Sequence, residues 1–359
     1  MSRRSTPPTD LAEFIARGYD RRDFLKGTGA LFGALGLGGV LAACGGGSSG
    51  SASSGGASGG ASVGEGKTIG ISLNGVNAYS GYVAEGVAKA IEGTGYKLVG
   101  IQNNFDSSTE LGNIQNLLSQ GIDALVVLPT DATTIAKAAQ LCQQQNVAVG
   151  NALWPGKSDA DQYFTGVASL DSVEGGKLIG EWLKANGTPG DTIVVQGIVG
   201  QGFSERIDEG LDAALEGSGF NVVVREQGFF ARDTATKIVE SGLQAHPDVT
   251  TIVAYSASMS DGIASFLKSK GLEKLTHVSS DGDDELFTWL GTPYLAADRY
   301  YSAAETGVLA AKAVRAKMEG GTPEFEGAVT QKIVTGDDFK AEIASVPYRY
   351  KEFADKVKV

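Results

Sequence analysis

Apolar and polar residues follow two alternating patterns from residue 67 onward. Short runs rich in β-branched residues predict strands, and longer stretches with apolar residues every three to four positions predict amphipathic helices. The predicted strands are 68–73, 97–101, 124–128, 147–150, 192–196, 221–224, 250–254 and 276–278. The predicted helices are 79–91, 107–120, 131–145, 172–186, 203–216, 232–245, 258–270, 284–290 and 303–318.

Strands separated by helices imply parallel sheets that are covered by helices on both faces. The pattern also occurs twice, because a strand-like run at 123–130 leads into a helix and a similar run at 249–256 leads into another. We therefore predict an α/β fold of two similar doubly wound lobes. Ligands of such sheets bind beyond the carboxyl ends of the strands, so the predicted site is the cleft between the lobes.

Aromatic and short polar residues are interleaved at nearly every predicted strand end. This mixture suits a neutral polyhydroxylated molecule, because flat rings cover its C–H faces while carboxylates, guanidinium groups and amides bind its hydroxyls. Charged partners make the stronger hydrogen bonds and fix the orientation of the ligand. The candidate ligand-binding residues are Asn77, Tyr79, Ser80, Trp154, Phe203, Glu205, Arg206, Phe230, Ser256, Asp281, Tyr300 and Tyr301.

Four polar residues near these strand ends have a structural alternative. Asn77 and Asp131 each precede a predicted helix, where such residues are typical N-caps. Glu205 and Arg206 lie inside a predicted helix and are also typical of a surface pair. For these positions the pattern alone leaves binding and structural roles open.

The aromatic and turn positions have alternatives of their own. Trp154 precedes Pro155 and is also typical of a rim or hinge residue. Phe229 and Phe230 cannot both face the cleft in an extended segment, so one of them is expected in the core. The Asp281 position, followed by glycine, is also typical of a simple turn.

The first 66 residues differ from the rest in composition. A basic segment, Arg21 to Lys26, precedes a charge-free run at 27–43, which is typical of an export signal and too short for a confident membrane span. The paired arginines resemble the twin-arginine motif, although Asp20 stands where that motif has Ser or Thr. We predict a twin-arginine-like lipoprotein signal peptide at 1–43.

The residues after this signal predict a lipid anchor. The sequence Leu41-Ala42-Ala43-Cys44 resembles a bacterial lipobox, in which the cysteine sulfur takes the lipid; the alternative is a buried cysteine that ends an apolar run. Residues 44–66 are almost wholly Gly, Ser and Ala, a composition that forms a flexible tether rather than a core. The predicted lipidation site is therefore Cys44.

Composition excludes several classes of function. The 42 acidic against 30 basic residues give a net charge of −12, which argues against nucleic acid as a partner. Two cysteines and two histidines are too few for a disulfide framework or a Cys/His zinc site. His246 and His277 do not follow predicted strands, and no Gly-x-Ser-x-Gly elbow occurs. We expect no enzyme activity, no metal and no cofactor.

Five segments resemble the ribose/galactose class of periplasmic sugar-binding proteins, the substrate receptors of ABC importers. They are 128–131, 168–177, 196–200, 245–249 and 281–282, and the similarity covers about 67–334. The resemblance implies the type I periplasmic binding fold. It divides the chain into lobes at 67–170 plus 302–328 and 171–301 plus 329–359, joined by a three-segment hinge near 169–171, 300–302 and 326–330.

By position, the family's site falls on candidates already named. These are Asn77, Tyr79 and Ser80 in the first lobe, and Glu205 or Arg206, Phe230, Ser256, Asp281 and Tyr301 or Tyr300 in the second. Two departures stand out. The family's Asp-Arg pair is Leu153-Trp154 here and its second-lobe Asn is Ser256, so the resemblance implies a more aromatic site than that of a ribose receptor.

The implied function is that of a binding protein which catalyses no reaction. It is expected to be exported and lipid-anchored at the outer face of the cytoplasmic membrane, to bind a small sugar or polyol, and to deliver it to the permease subunits of an ABC importer. An alternative is a receptor that presents its ligand to a membrane sensor kinase or chemotaxis protein.

Overall fold

The computed structural model describes residues 64–336, except 76, 155–157 and 283–285. The predicted signal peptide, the lipidation site Cys44, the tether up to residue 63 and the end of the chain from residue 337 lie outside the described residues. Within the described part, no helix combines the length and the apolar character that crossing a membrane requires.

Two six-stranded sheets form the two lobes. The first contains β1 (Thr68–Leu73), β2 (Lys97–Gln102), β3 (Ala124–Val127), β4 (Ala148–Trp154), β5 (Gly166–Ser169) and β11 (Glu326–Ala328), in the order β11-β5-β4-β3-β1-β2. The second contains β6 (Asp191–Gln196), β7 (Asn221–Gln227), β8 (Val249–Ala254), β9 (Thr276–Ser280), β10 (Ala297–Tyr301) and β12 (Gln331–Thr335), in the order β12-β10-β9-β8-β6-β7. The paired strands run parallel except β10 and β12, which are antiparallel.

Eight α-helices accompany these strands in the described part. They are α1 (Ala78–Ala90), α2 (Ser107–Ser119), α3 (Ala132–Gln144), α4 (Ser172–Asn186), α5 (Phe203–Leu215), α6 (Arg232–Ala245), α7 (Ala257–Lys270) and α8 (Ala303–Met318). Side-chain oxygens cap most of them, because a cap satisfies backbone N–H groups that the first turn leaves unpaired. The capping residues are Asn77, Asp106, Asp131, Asp171, Ser256 and Ser302.

The core of each lobe lies between its sheet and the helices on both faces. All four residues of β3 are fully buried, which is the reason this strand shows a continuous apolar run instead of alternation. The prediction of two doubly wound α/β lobes is confirmed.

The lobes exchange helices. Helix α4 follows β5 of the first sheet but packs against α5 of the second lobe, whereas α8 follows β10 of the second sheet but packs against α1 of the first. Glycine makes both contacts possible: a Cβ at Gly86 would lie 2.0 Å from the carbonyl oxygen of Ala304, and one at Gly210 would lie 1.8 Å from that of Val173. With the link from β11 to β12, the chain crosses between the lobes at 169–172, 301–303 and 328–331.

Two parts of the predicted pattern differ from the structure. The helix predicted at 284–290 is wrong over its described residues, because Leu286–Thr288 forms only a short 3-10 turn. Strands β5, β10, β11 and β12 were not predicted. All four have five residues or fewer. β10 also contains the fully buried charged residues Asp298 and Arg299, which hide it from a search for apolar runs.

Candidate functional site: the cleft between the lobes

Segments that follow the strands of one lobe touch segments that follow the strands of the other. Gln201, in the loop before α5, donates from Nε2 to the carbonyl oxygen of Thr130 over 2.8 Å. The rings of Tyr79 and Tyr301 also meet across the lobes. The carboxyl ends of the strands therefore border one shared cleft, as the doubly wound pattern predicts.

Tyr79, Tyr301 and Asp281 form a connected group that spans the cleft. The two rings meet edge to face, with centroids 6.1 Å apart and planes at 70°. The Tyr301 hydroxyl donates to Asp281 Oδ1 over 2.5 Å. The Tyr79 hydroxyl is buried, and no described residue meets the geometry of a full hydrogen bond to it. The hydroxyls of Tyr301 and Thr306 lie near enough to oppose the rise of its pKa. A buried hydroxyl without a partner costs free energy, so this oxygen offers a ready position for a polar ligand.

Burial controls ionisation within this group. It raises the pKa of Asp281 to about 6, although the Tyr301 hydroxyl and the Arg299 charge oppose the change. Burial and the nearby Asp281 carboxylate also raise the pKa of Tyr79 and of Tyr301. Both phenols therefore stay neutral. The Tyr79 hydroxyl keeps a hydrogen that a ligand oxygen can accept, whereas the hydrogen of Tyr301 is already donated to Asp281 and leaves its oxygen as an acceptor.

Arg299 lies directly beneath this group and is fully buried. Its Nε and Nη2 donate to Gln331 Oε1 over 2.9 and 2.7 Å, and its Nη1 donates to Ser280 Oγ over 3.2 Å. The guanidinium carbon lies 5.0 Å from the centroid of the Tyr301 ring. Arg299 thus holds a positive charge under the cleft and supports the ring that faces it.

Arg299 was not among the predicted binding residues. The available signal was a cation directly before two tyrosines at the last junction of the second lobe. Its burial depends on distant residues: a Cβ at Gly175 would lie 2.2 Å from Arg299 Nε, so only glycine leaves room for the guanidinium. No local pattern reveals that fit.

A small cavity of about 60 Å³ extends from the cleft toward the first lobe. Phe203, which is 4% exposed, closes it from the second lobe at the start of α5. The lining is mostly apolar, in agreement with the replacement of the family's Asp-Arg pair. The lining residues are Pro129, Asp131, Ala132, Ile135, Asn151, Leu153, Trp154, Ser158, Ala160, Phe164, Gln201 and Phe203.

Trp154 borders this cavity, but its indole belongs to the core of the first lobe. The indole N–H donates to Asp161 Oδ1 over 2.9 Å, and the ring meets Phe325 edge to face at 6.5 Å between centroids. The pairing register of β4 against β5 shifts between Asn151 and Trp154, which changes the direction of the side chain. The structure therefore places this candidate at the margin of the cleft.

Three polar candidates serve the local structure of helix starts. Asn77 Oδ1 accepts from the backbone N–H of Ser80 over 2.8 Å, and Ser256 Oγ accepts from Met259 N–H over 3.4 Å. The Ser80 hydroxyl donates to Asn74 Oδ1 over 3.1 Å. The cap alternative for Asn77 is what the structure shows, and Asp131 caps α3 in the same way.

Three further candidates lie outside the group formed by Tyr79, Tyr301 and Asp281. Glu205 is exposed and accepts from the N–H of Gly200 over 2.5 Å, while the adjacent Arg206 is half-buried on α5. Tyr300 packs with Val334 in a small cluster. Since side chains alternate along a strand, Tyr300 points to the face of β10 opposite Tyr301.

Phe230 packs against Phe105, which was not among the predicted site residues. Its ring lies 6.0 Å from that of Phe105 in the first lobe, with planes at 32°. The neighbouring Phe229 is 53% exposed, so neither residue of the Phe229–Phe230 pair is fully enclosed in the core. Phe105 follows the end of β2 among polar residues, which is the same signal that identified Phe230.

Comparison of the sequence with known protein families agrees with the two-lobe fold and its cleft. The profile of the periplasmic binding protein domain family matches residues 69–322. The chain belongs to this family. The predicted resemblance is therefore confirmed, and membership implies an extracytoplasmic location for the folded part of this periplasmic binding protein.

Two curated relatives match this periplasmic binding protein in sequence. The ribose import binding protein of Escherichia coli is 29% identical over 199 residues, which is 55% of this chain and 66% of that protein. The xylitol-binding protein of Mycolicibacterium smegmatis is 23% identical over 286 residues, or 77% of this chain and 74% of that protein. Both are named as binding proteins, in agreement with the prediction that the chain is not an enzyme.

The fold is also that of solved structures. A carbohydrate transporter solute-binding protein from Agrobacterium radiobacter, in complex with D-arabinose, superimposes with a TM-score of 0.69 at 20% sequence identity. The superposition covers 78% of this chain and 98% of that one. At this level of identity the likeness establishes the shared two-lobe fold.

Proposed function

We propose that this protein is the solute-binding component of an ABC importer and that it binds a small neutral sugar or polyol between its lobes. The group formed by Tyr79, Tyr301 and Asp281 carries this proposal. It combines ring faces with a carboxylate and two hydroxyls, and it draws residues from both lobes. Rings cover C–H faces and polar groups bind hydroxyls, which is the chemistry a polyol needs.

The positions of these residues connect binding to motion. Tyr79 belongs to the first lobe, whereas Tyr301 and Asp281 belong to the second. A ligand that contacts both sides is bound more tightly when the lobes are closed, so it shifts the population toward the closed form. The closed form is the one that we expect a permease to recognise.

The choice of ligand follows from charge and size. No cation lines the small cavity, since its described lining holds one carboxylate, from Asp131, and otherwise neutral groups. Because the fully buried Arg299 donates to Gln331 and Ser280, it acts on the cleft through its positive charge and not by direct contact with a ligand. These features favour an uncharged ligand. The relatives named for ribose and xylitol, and the structure with D-arabinose, are consistent with a pentose or its polyol.

The location follows from the N-terminal segment. We propose that residues 1–43 direct export, that Cys44 carries a lipid, and that the glycine-rich tether holds the lobes near the outer face of the cytoplasmic membrane. The family implies a role outside the cytoplasm, which agrees with export. The Escherichia coli relative is named as an import protein, which favours import over the alternative of presenting ligand to a sensor.

A thermal-shift screen of the full chain tests the ligand proposal. The panel contains D-ribose, D-arabinose, xylitol, glycerol and myo-inositol, with L-glutamate as a charged comparison. A ligand at about 100 times its dissociation constant adds about 2.7 kcal/mol to the free energy of unfolding. We expect at least one sugar or polyol to stabilise the chain, and Tyr301→Phe and Asp281→Asn to weaken that effect.

Glu205→Gln is the matched control, because Glu205 is an exposed polar residue of the same lobe outside the Tyr79 group. It should leave the shift intact. A chain that no member of the panel stabilises, or a shift unchanged in both cleft variants, would contradict the proposal.

A further inference from the structure

Two phenylalanines from opposite lobes occupy equivalent positions. Phe105 comes three residues after the end of β2, and Phe230 comes three residues after the end of β7. Strands β2 and β7 are the outer strands of their sheets, at the opposite edge from β11 and β12, which carry the third crossing. The contact between Phe105 and Phe230 therefore lies at the end of the cleft farthest from that crossing.

The backbone repeats in the same way at both positions. Asn104 and Phe105 have φ angles of 49° and 57°, and Phe229 and Phe230 have φ angles of 56° and 54°. Non-glycine residues rarely adopt this left-handed conformation, and they keep it only where the surroundings hold them there. Two consecutive cases, at equivalent places in both lobes, indicate that the orientation of the two rings is a built feature of the fold.

Each ring also packs against a glycine, its glycine seat, where any side chain would collide with the ring. A Cβ at Gly75, just after β1, would lie 2.3 Å from Cε2 of Phe105. A Cβ at Gly197, just after β6, would lie 2.2 Å from Cε1 of Phe230. Since β1 and β6 are the strands next to β2 and β7, the two seats lie at corresponding strand ends, two residues after β1 and one residue after β6.

Backbone groups of Phe105 and Phe230 make hydrogen bonds that fix the positions of their two loops. The N–H of Phe105 donates to the carbonyl oxygen of Asn74 over 2.5 Å. The Ser258 hydroxyl donates to the carbonyl oxygen of Phe230 over 2.9 Å. The rings are therefore held toward one another before any ligand is considered.

We propose that Phe105 and Phe230 form an aromatic latch, a contact between the lobes that exists only in the closed form and stabilises it. The proposal rests on the closing motion of the proposed function and adds a residue, Phe105, that the ligand chemistry did not require. Because the contact lies far from the crossings, a small rotation of the lobes separates the rings by a large distance. Opening therefore breaks the latch completely, and a ligand cannot leave by that edge while it holds.

The test measures the ratio of open to closed chains without ligand. Spin labels are attached to cysteines introduced by Gln115→Cys on α2 and Lys237→Cys on α6, both exposed positions, in a Cys44→Ser background. The distance distribution is read by pulsed electron paramagnetic resonance in frozen solution. Cys142 is buried, so it does not take a label.

Loss of an aromatic pair predicts the size of the effect. Phe105→Ala should raise the open-to-closed ratio roughly 2- to 13-fold, and Phe230→Ala should do the same. The double variant should do no more than either single one, because each removes the same contact. Phe105→Tyr, which keeps a ring, should restore the closed fraction. Phe229→Ala is the matched control, since Phe229 is a neighbouring exposed ring with the same φ, and it should have no effect.

Three results would overturn the latch: no closed fraction in the unliganded parent chain, an unchanged ratio in Phe105→Ala, or effects of the two variants that add. The measurement needs no ligand. A chain that binds none of the tested sugars can therefore still show the latch, and a sugar-binding chain can still lack it.

Discussion

Gln331 accepts two hydrogen bonds from Arg299 through a single oxygen, Oε1, at 2.9 Å from Nε and 2.7 Å from Nη2. Its Nε2 donates to the carbonyl oxygen of Asp171 over 2.8 Å. Asp171 lies in the first crossing, Arg299 in the strand that leads into the second, and Gln331 at the end of the third. One side chain thus ties together the three segments that connect the lobes.

Replacing this side chain should loosen the connection. Gln331→Ala leaves a fully buried guanidinium with two fewer acceptor contacts, and hydrogen bonds to charged groups contribute about 1.5–3 kcal/mol each. We expect the free energy of unfolding in urea to fall by about 3 kcal/mol or more. Gln140→Ala, at an exposed position on α3, is the control and should change it by less than about 0.5 kcal/mol. Equal effects of the two substitutions would show that the hydrogen bonds of Gln331 do not contribute to the free energy of unfolding.

Glu110 predicts a dependence of stability on pH. It is fully buried, and both of its carboxylate oxygens accept from the N–H of Thr130, at 3.2 and 3.1 Å. Burial raises its pKa to about 7, with the Asp131 charge as a smaller contribution and the Thr130 hydrogen bonds opposing. Between its ordinary pKa and 7, the folded chain keeps a proton that the unfolded chain has lost. The free energy of unfolding should therefore fall as pH rises through this interval, by about 3 kcal/mol from this group.

Glu110→Gln removes the titration and keeps an oxygen that can accept from Thr130. Urea unfolding between pH 4.5 and 8 should show a flatter profile for this variant than for the parent. Glu92→Gln, at an exposed position after α1, should leave the profile of the parent unchanged. A slope as steep in Glu110→Gln as in the parent would assign the pH dependence to other buried carboxylates, such as Asp281 and Glu305, whose pKa values burial also raises.

Trp154 predicts an effect on stability rather than on binding. Its indole is 5% exposed, donates to Asp161 and packs against Phe325. Trp154→Ala should lower the free energy of unfolding by about 3–5 kcal/mol, as expected for removal of a large buried ring. Trp154→Phe keeps a ring and should remain folded.

Binding to Trp154→Phe separates the two roles. Isothermal titration with whichever sugar stabilises the parent should give an affinity within a few-fold of the parent's. A folded Trp154→Phe variant that no longer binds would place the indole at the ligand after all.

The close contact of α4 with α5 predicts an effect of helix packing. A Cβ at Gly210 would lie 1.8 Å from the carbonyl oxygen of Val173, so the helices must separate to admit one. Gly210→Ala should lower the free energy of unfolding by roughly 1–3 kcal/mol. Gly112 on α2 is the matched control, because a Cβ there meets no atom within 4 Å. Gly112→Ala should raise the free energy of unfolding by about 0.5–1 kcal/mol, because alanine restricts the unfolded chain and favours the helix. Thermal or urea unfolding of both variants measures the two changes in the free energy of unfolding, which should have opposite signs.

Local patterns were enough to predict most of the fold. The helices and central strands follow from periodicity, and their alternation implies the parallel sheets and the cleft. The residues of β10 escaped this reasoning. A charged residue such as Arg299 can lie inside a sheet only because Gln331, Ser280 and the missing side chain at Gly175 accommodate it, and these come from distant parts of the chain.

The site was predictable only in part for a related reason. The sequence indicated which residues follow the strands, and Tyr79, Tyr301 and Asp281 do meet in the cleft. It did not indicate which way each side chain points. The register shift before Trp154 and the alternation that separates Tyr300 from Tyr301 are decided by strand pairing, which a single sequence does not display.

The exchange of α4 and α8 has a consequence for the order in which the molecule can be completed. The first sheet is almost whole once the chain reaches Ser169, yet the helix that covers α1 ends at Met318. Until α8 has been synthesised, the surface of α1 around Gly86 has no helix packed against it. No single cut in the described chain therefore releases a finished half, and a fragment that ends at the first crossing should stay open to proteases along α1.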